Sequence, residues 1–157
     1  MTDAADPRDL VLTRHIKGAP ELVYRCWTEP ELMKQWFCPR PWTTPVIETD
    51  VRPGGSNYIL MRGPEGEEMP NRGVYLEVVP GRRLVTTDAF TDAWTPSEKP
   101  FLTIVLTFEP EGDGCRYTAR ARHWTVEDKA QHEAMGFEVG WGICADQLEE
   151  VVAGLKG

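Results

Sequence analysis

A histidine, a tyrosine and an asparagine are the residues whose types and positions could do chemistry. His123 and Tyr117 belong to residues 115–123, where every second residue is apolar or aromatic, so both side chains are expected on one inward face of a strand. Imidazole titrates near neutral pH. His123 is therefore either a hydrogen-bonding or acid–base group, or a strand-end histidine whose hydrogen bonds are made with backbone groups. Asn57, in SNYILMR, either orients a ligand or closes a hairpin.

A metal site is the next chemistry to consider. His123 and His132, together with Glu133, could approach one metal ion. Their spacing, however, does not match ligand patterns such as HExxH, in which both imidazoles share one face of a helix. The chain also lacks a glycine-rich phosphate loop and a nucleophile elbow. We therefore expect no metal and no cofactor.

Composition restricts the class of protein. The chain has 157 residues, of which 41% are hydrophobic and 27% charged, as in an ordinary globular domain. With 25 acidic and 17 basic residues, the net charge of −8 opposes binding to nucleic acids and to anionic membranes. No apolar run is long enough to span a membrane, MTDAADPRD is too polar for a secretory signal, and the four cysteines form no CxxC pair. We expect a cytoplasmic protein with reduced cysteines.

The predicted order of elements is a strand, two short helices, about six strands and one long helix. DLVLTRHI alternates as a strand does, and Pro20 and the TEP break mark two short helices. Residues 38–45 contain three prolines and predict a non-regular loop. From residue 46 to 123, short apolar stretches separated by PGG, GPEGEE, PGRR and EGDG predict an antiparallel meander.

A capping box at Thr125 opens the long C-terminal helix, which is predicted to run without interruption from about 126 to 154. One apolar stripe at helical spacing comprises Ala130, Ala134, Phe137, Trp141, Cys144, Leu148, Val151 and Leu155. A second stripe beside it comprises Met135, Val139 and Ile143. Because the combined apolar arc is too wide for a helix on a flat surface, we expect a curved sheet to wrap around it.

Three glycines interrupt this helix at positions 136, 140 and 142. Each costs about 1 kcal/mol relative to alanine inside a helix, so each requires a reason. Two explanations are open, namely a close approach of the sheet backbone and space left for a ligand. We favour close packing for Gly136 and Gly140, and room for a ligand at Gly142.

Four blocks, in this order along the chain, carry a family resemblance: RHIKGAPELVYRCWTEPELMKQWF (14–37), DVRPGGSNYILMRGPEGEE (50–68), GVYLEVVPGRRLV (73–85) and HEAMGFEVGWGICADQLEEVV (132–152). They resemble the START-like (SRPBCC) superfamily, and more narrowly the bacterial homologues of the activator of the heat-shock-protein-90 ATPase. The implied fold is α+β of the helix-grip (START/Bet v-like) type, with a curved antiparallel sheet around the long helix and a cavity between them. We expect one START-like domain over residues 1–157, with 1–8 as a flexible N-terminus.

The resemblance and the pattern of apolar residues together predict the wall of that cavity. The expected lining residues are Trp36, Phe37, Asn57, Ile59, Met61, Tyr75, Trp94, Tyr117, His123, Met135, Val139 and Gly142. Family members often have a second tryptophan and then Gly-Pro after the position of Trp36, where this chain has Phe-Cys-Pro. The shape of the cavity near residues 37–42, and with it the ligand, can therefore differ from those of other family members.

Three functions are compatible with the sequence. The leading hypothesis is a non-enzymatic protein that binds a small hydrophobic, aromatic or lipid-like molecule in the cavity. The first alternative is an enzyme of the cyclase, dehydratase or hydrolase type, in which His123, Tyr117 and Asn57 would be the catalytic candidates. The second alternative is an interaction module that stimulates a chaperone ATPase. We expect neither a nucleic acid partner nor membrane insertion, and the oligomeric state, including a homodimer, stays open.

Overall fold

Within residues 6–92, 95–98 and 100–156, which the computed structural model describes, the chain forms nine strands and four helices. The strands are β1 (Asp9–Ile16), β2 (Thr43–Thr49), β3 (Ser56–Arg62), β4 (Glu68–Val79), β5 (Arg83–Thr87), β6 (Phe90–Asp92), β7 (Thr95–Pro96), β8 (Leu102–Glu111) and β9 (Gly114–His123). The helices are α1 (Pro20–Thr28), α2 (Pro30–Met33), α3 (Val126–Ala134) and α4 (Phe137–Lys156).

Seven strands form one antiparallel sheet in the order β1-β9-β8-β5-β4-β3-β2. Consecutive strands from β2 to β5 pair as neighbours, as the hairpin spacing predicts, whereas β1 pairs with β9 from the other end of the sequence. The short strands β6 and β7 pair with each other in a separate two-stranded sheet. The α+β fold of the helix-grip type is confirmed.

The inward face of the sheet is clearest in β9. Tyr117, Ala119, Ala121 and His123 are all at most 2% exposed, so the alternation predicted for this strand is confirmed. The opposite face carries arginines that pair with acidic residues, such as Arg122 with Asp9 at 2.8 Å. Ala119 and Ala121 are small, which lets a helix lie near this part of the sheet.

The C-terminal helix is broken, which corrects the prediction of one continuous helix. The Thr125 cap is confirmed, since its hydroxyl accepts a hydrogen bond from the backbone N–H of Asp128 at 3.0 Å. The first part of this segment, α3, ends at Ala134. Gly136 then adopts a φ of +97° before α4 begins at Phe137. An L side chain rarely adopts this conformation, so the glycine sets the position of the break.

The two apolar stripes have different environments. The part of the first stripe from Phe137 to Leu155 packs on the core. Leu148, one of its members, is fully buried. The second stripe is predicted to lie beside the first against the sheet, but it is exposed, at 67% for Met135 and 68% for Val139. The curved sheet covers the side of α4 that carries the first stripe, and the other side faces solvent.

Part of the N-terminus lies against β9. Residues 1–5 are outside the described residues. Asp6 and Arg8, within the segment predicted to be flexible, pair with each other at 2.8 Å. The carbonyl oxygen of Arg8 accepts a hydrogen bond from the backbone N–H of His123 at 3.0 Å. The chain is therefore joined to the end of β9 from Arg8 onward.

Two alanine substitutions test the helix break. We expect Gly136→Ala to lower the free energy of unfolding by about 1 kcal/mol, because a Cβ strains the left-handed backbone. Gly140 lies inside α4 with open space around its Cβ position, so Gly140→Ala is expected to raise the free energy of unfolding by up to about 1 kcal/mol. Urea denaturation of both variants measures these changes. Equal effects at the two positions would contradict a break at Gly136.

Candidate binding cavity

A cavity of about 460 Å³ lies between the concave face of the sheet and the helix α4. Apolar and aromatic side chains make up most of its wall, including Trp27, Trp36, Phe37, Ile59, Leu84, Ile104, Phe137 and Trp141. A few polar side chains are placed among them, including Asn57, Thr86, Asp88, Tyr117 and His132. A largely apolar cavity with a small number of polar groups is the usual composition of a small-molecule site.

The structure brings most of the predicted residues together at this cavity. Those that line it are Trp36, Phe37, Asn57, Ile59, Met61, Tyr75, Tyr117 and Met135. Trp94 lies outside the described residues. Since Met135 is both part of the wall and exposed, it lies where the cavity opens to solvent.

Three predicted residues lie elsewhere, which corrects their assignment. Val139 is exposed on the outer side of α4, and Gly142 lies nearest the guanidinium of Arg14, 3.7 Å from its expected Cβ position. His123 is buried behind the wall, where His132 takes its place.

The roles predicted for the three glycines are reversed. Gly136 and Gly140 border the cavity, and no described atom beyond their chain neighbours and the adjacent helix backbone lies within 4 Å of their Cβ positions. They therefore leave space rather than pack on the sheet. Gly142, predicted to leave room for a ligand, lies on the side of α4 that faces β1, where Arg14 pairs with Asp146. The stripe of Gly136, Gly140 and Cys144 therefore marks the cavity side of the helix, since residues four apart share one face.

Gln147 holds one wall of the cavity in place. Its buried amide nitrogen donates to the carbonyl oxygens of Trp36 and Cys38, both at 2.9 Å. Its amide oxygen accepts from the backbone N–H of Arg40 at 3.3 Å. One side chain of α4 thus satisfies three backbone groups of the loop that carries the aromatic residues Trp36 and Phe37. Sequence reasoning missed Gln147, because a glutamine on an amphipathic helix is usually exposed.

Replacement of Gln147 tests this connection. We expect Gln147→Leu to lower the free energy of unfolding by about 2–4 kcal/mol, because two buried carbonyl groups lose their donors. Gln35→Leu is the matched control, since Gln35 is exposed and its effect is expected to stay within about 0.5 kcal/mol. Denaturant titration measures both. A Gln147 variant as stable as the control would show that the amide does not hold the loop.

Tyr117 supplies a hydroxyl group inside the cavity wall. The indole Nε1 of Trp27 donates a hydrogen bond to its oxygen at 3.0 Å. Burial raises the pKa of Tyr117 well above its ordinary value, so the phenol is neutral. Because the oxygen acts as acceptor for Trp27, its own hydrogen remains available to a group in the cavity.

Asn57 contributes to the structure of the wall. Its amide nitrogen donates to the hydroxyl of Thr86 at 3.0 Å, and that hydroxyl donates to the carbonyl oxygen of Val74 at 3.1 Å. This chain of hydrogen bonds connects β3, β5 and β4 across the concave face. Between the two readings of Asn57, the contacts support a structural role in joining strands.

Two imidazole rings are hydrogen-bonded to each other at the far end of β9. The Nε2 atom of His123 lies 2.7 Å from the Nδ1 atom of His132. The Nδ1 atom of His123 lies 2.9 Å from the carbonyl oxygen of Arg8. The ring of His132 also contacts Phe101 and Phe137, with centroids 5.4 and 5.2 Å away. The histidine that reaches the cavity is therefore His132, held from behind by His123.

Burial sets the charge of the acidic and basic groups at this end of the cavity. Desolvation, and the neighbouring His123, lower the pKa of His132 to about 4, so it is neutral at pH 7. Asp88 accepts hydrogen bonds from the backbone N–H groups of Phe101 at 2.9 Å and Leu102 at 3.1 Å. Burial nevertheless raises the pKa of Asp88.

Two cysteines, Cys38 and Cys144, line the cavity, and burial disfavours the thiolate form of both. Burial raises the pKa of Cys144 to about 12, and its thiol donates to the carbonyl oxygen of Phe37 at 3.3 Å. Burial also raises the pKa of Cys38 to about 11. Both sulfurs are therefore thiols rather than reactive thiolates near pH 7.

The described residues contain no group of three or more histidine, cysteine or acidic side chains arranged to hold a metal ion. Within the same residues, no helix has the length and apolarity needed to cross a membrane.

The pH dependence of stability tests the environment of His132. Between pH 6.5 and 4 the unfolded chain protonates this residue and the folded chain does not, so the free energy of unfolding falls as the pH falls. We expect His132→Phe to reduce the loss between pH 7 and 5 by about 1 kcal/mol, a value discounted for screening of the partly exposed ring. The titratable group that faces this ring among the described residues is His123, with its Nε2 atom 2.7 Å from Nδ1 of His132.

His15 provides the control for this measurement. Its pKa is raised, mainly by the hydrogen bond to Glu111, so its contribution to stability is present below pH 6.5 and is lost as the pH rises through that raised pKa. His15→Asn should therefore leave the loss between pH 7 and 5 no smaller than in the unmodified protein. Chemical denaturation at the two pH values measures the difference, and an unchanged slope in His132→Phe would show that His132 is not buried neutral.

The sheet, the covering helix and the ligand-sized space between them define a helix-grip protein. The chain belongs to the family described as Activator of Hsp90 ATPase homolog 1-like protein, whose model matches residues 17–153. The resemblance predicted from the four sequence blocks is thus confirmed. No curated protein gives a significant match to the chain.

Solved structures of similar proteins share the fold. Protein NE0264 of Nitrosomonas europaea is 41% identical over 97% of this chain and 98% of its own, with a TM-score of 0.93. Protein Ms6760 of Mycobacterium smegmatis is 23% identical over 94% of this chain and 91% of its own, with a TM-score of 0.79. Protein CV1439 of Chromobacterium violaceum is 24% identical over 92% of this chain and 96% of its own, with a TM-score of 0.77.

Proposed function

We propose that this protein binds a small hydrophobic or aromatic molecule in the cavity between the sheet and α4. The observation that carries the proposal is the cavity itself, about 460 Å³ in volume and walled mainly by apolar side chains. Cavities of about 300–1,000 Å³ are typical of small-molecule sites, and burial of apolar surface supplies most of the affinity there.

The aromatic side chains of the wall favour a planar guest. Trp27 and Trp36 meet edge to face, with ring centroids 4.9 Å apart. On the helix side, Phe137 and Trp141 lie 5.0 Å apart. Rings held in fixed orientations on two sides of a cavity offer both faces and edges to an aromatic ligand. The neutral hydroxyl of Tyr117 adds one hydrogen-bond donor.

An enzyme using the same cavity is the second candidate, and the histidine pair is the observation that favours it. An imidazole at the surface of an apolar cavity is a common general base. A pKa of about 4, however, makes His132 a weak base at neutral pH, and the cavity thiol of Cys144 is protonated. The described groups therefore support binding better than proton transfer.

A substitution that fills the cavity tests the proposal. Gly140 borders the cavity with open space around its Cβ position, so Gly140→Leu places a side chain in that space and adds helix propensity. The probe is prodan, a neutral naphthalene dye whose emission shifts to the blue in apolar surroundings. We expect the unmodified protein to bind prodan and Gly140→Leu to weaken this binding at least tenfold.

Gly154→Leu is the matched control, because Gly154 lies in the same helix, is exposed and has equally open space around its Cβ position. It should bind prodan as the unmodified protein does. Equal binding by both variants would place the dye outside the cavity, and the absence of binding by the unmodified protein would count against the proposed function. Native mass spectrometry of protein purified from its own host adds a direct search for a retained ligand.

A further inference from the structure

The histidine pair has a defined arrangement of hydrogens. The carbonyl oxygen of Arg8 can only accept, so the Nδ1 atom of His123 must carry a hydrogen. His123 is 1% exposed, and no described carboxylate pairs with it. In a neutral ring that donates from Nδ1, the Nε2 atom of His123 is an acceptor.

The same argument then fixes the hydrogen of His132. Its Nδ1 atom lies 2.7 Å from the accepting Nε2 atom of His123, so Nδ1 of His132 must be the donor. The Nε2 atom of His132 is left with a lone pair and without a hydrogen. Because Nδ1 is engaged behind the wall, Nε2 is the polar atom of this ring that a molecule in the cavity can reach.

The surroundings of this atom favour a neutral donor over an anion. The ring of His132 is bordered by the apolar rings of Phe101, Phe137 and Trp141. The wall also includes Asp88, which accepts hydrogen bonds from the backbone beside Phe101, and Arg72, whose guanidinium lies over the ring of Tyr58. Because the Nε2 atom of His132 offers a lone pair and no hydrogen, a ligand oxygen without a hydrogen, as in a carboxylate or phosphate, cannot bond to it, whereas a hydroxyl or N–H group can.

We propose that the Nε2 atom of His132 selects, among planar apolar molecules, those that carry a hydroxyl or N–H group at the end nearest α3. This inference rests on the proposed function and names the class of ligand. The backbone carbonyl of Arg8 and the ring of His123 act as positioning groups, since they hold His132 in the tautomer that accepts. The phenol of Tyr117 lies six residues before His123 on the same face of β9, about 20 Å away along the strand.

Two isosteric probes test the selection. The probes are 2-naphthol and 2-methylnaphthalene, which carries a methyl group in place of the hydroxyl group. Their dissociation constants are measured from the fluorescence of the protein and the probe. We expect the unmodified protein to bind 2-naphthol about tenfold more tightly, and His132→Phe to bind the two equally, because phenylalanine keeps the aromatic wall and removes the acceptor. His15→Phe, a substitution of an exposed histidine outside the cavity, should keep the tenfold preference.

The outcomes separate the two proposals. If both probes bind the unmodified protein equally, or if His132→Phe keeps the preference, the inference about His132 is overturned while ligand binding stands. If neither probe binds and prodan does not bind either, the proposed function fails.

Nitrogen-15 NMR tests the hydrogens without any ligand. At pH 7 we expect His132 to carry its hydrogen on Nδ1 and none on Nε2, which is the rarer neutral tautomer of histidine. A hydrogen on Nε2 of His132 would make the atom a donor and overturn the inference, whatever the probes show.

Discussion

The pairing of β1 with β9 is the constraint on which the site depends. These strands come from opposite ends of the chain and pair over eight residues, from Asp9 with Arg122 to Ile16 with Cys115. This register places the carbonyl oxygen of Arg8 next to His123 and so fixes one end of the histidine pair. It also places Arg14 opposite α4, where it pairs with Asp146 and Glu149. One set of strand contacts therefore positions both the polar end of the cavity and the helix that covers it.

Features determined by neighbours in the sequence could be predicted from the sequence. The inward face of β9 follows from strict alternation, and the cap at Thr125 follows from residue types three positions apart. The order of the strands from β2 to β5 follows from turns at hairpin spacing. Most of the predicted cavity residues lie in the wall for the same reason, since one face of a strand such as β3 is read directly from its residues.

Features that depend on contacts between distant segments could not be predicted. Both stripes of the last helix continue across Gly136, so periodicity alone indicates one helix, and the left-handed backbone that ends α3 is not visible in the pattern. His123 and His132 are nine positions apart, a spacing that matches no pattern of metal ligands and does not by itself indicate that the two rings meet. Only the turn from β9 into α3 brings the rings into hydrogen-bonding contact. Gln147 gives no signal either, because its partners lie more than 100 positions earlier.

The break at Gly136 divides the cover of the cavity into two parts with different local stability. The helix α4 buries Phe137, Leu148 and other core side chains, whereas α3 buries none of its residues. Few contacts beyond the Thr125 cap and the ring of His132 hold α3 against the rest of the molecule. Local unfolding of α3 therefore requires less free energy than that of α4. The cavity therefore has one border, at α3, that can open locally while the core of the fold stays intact.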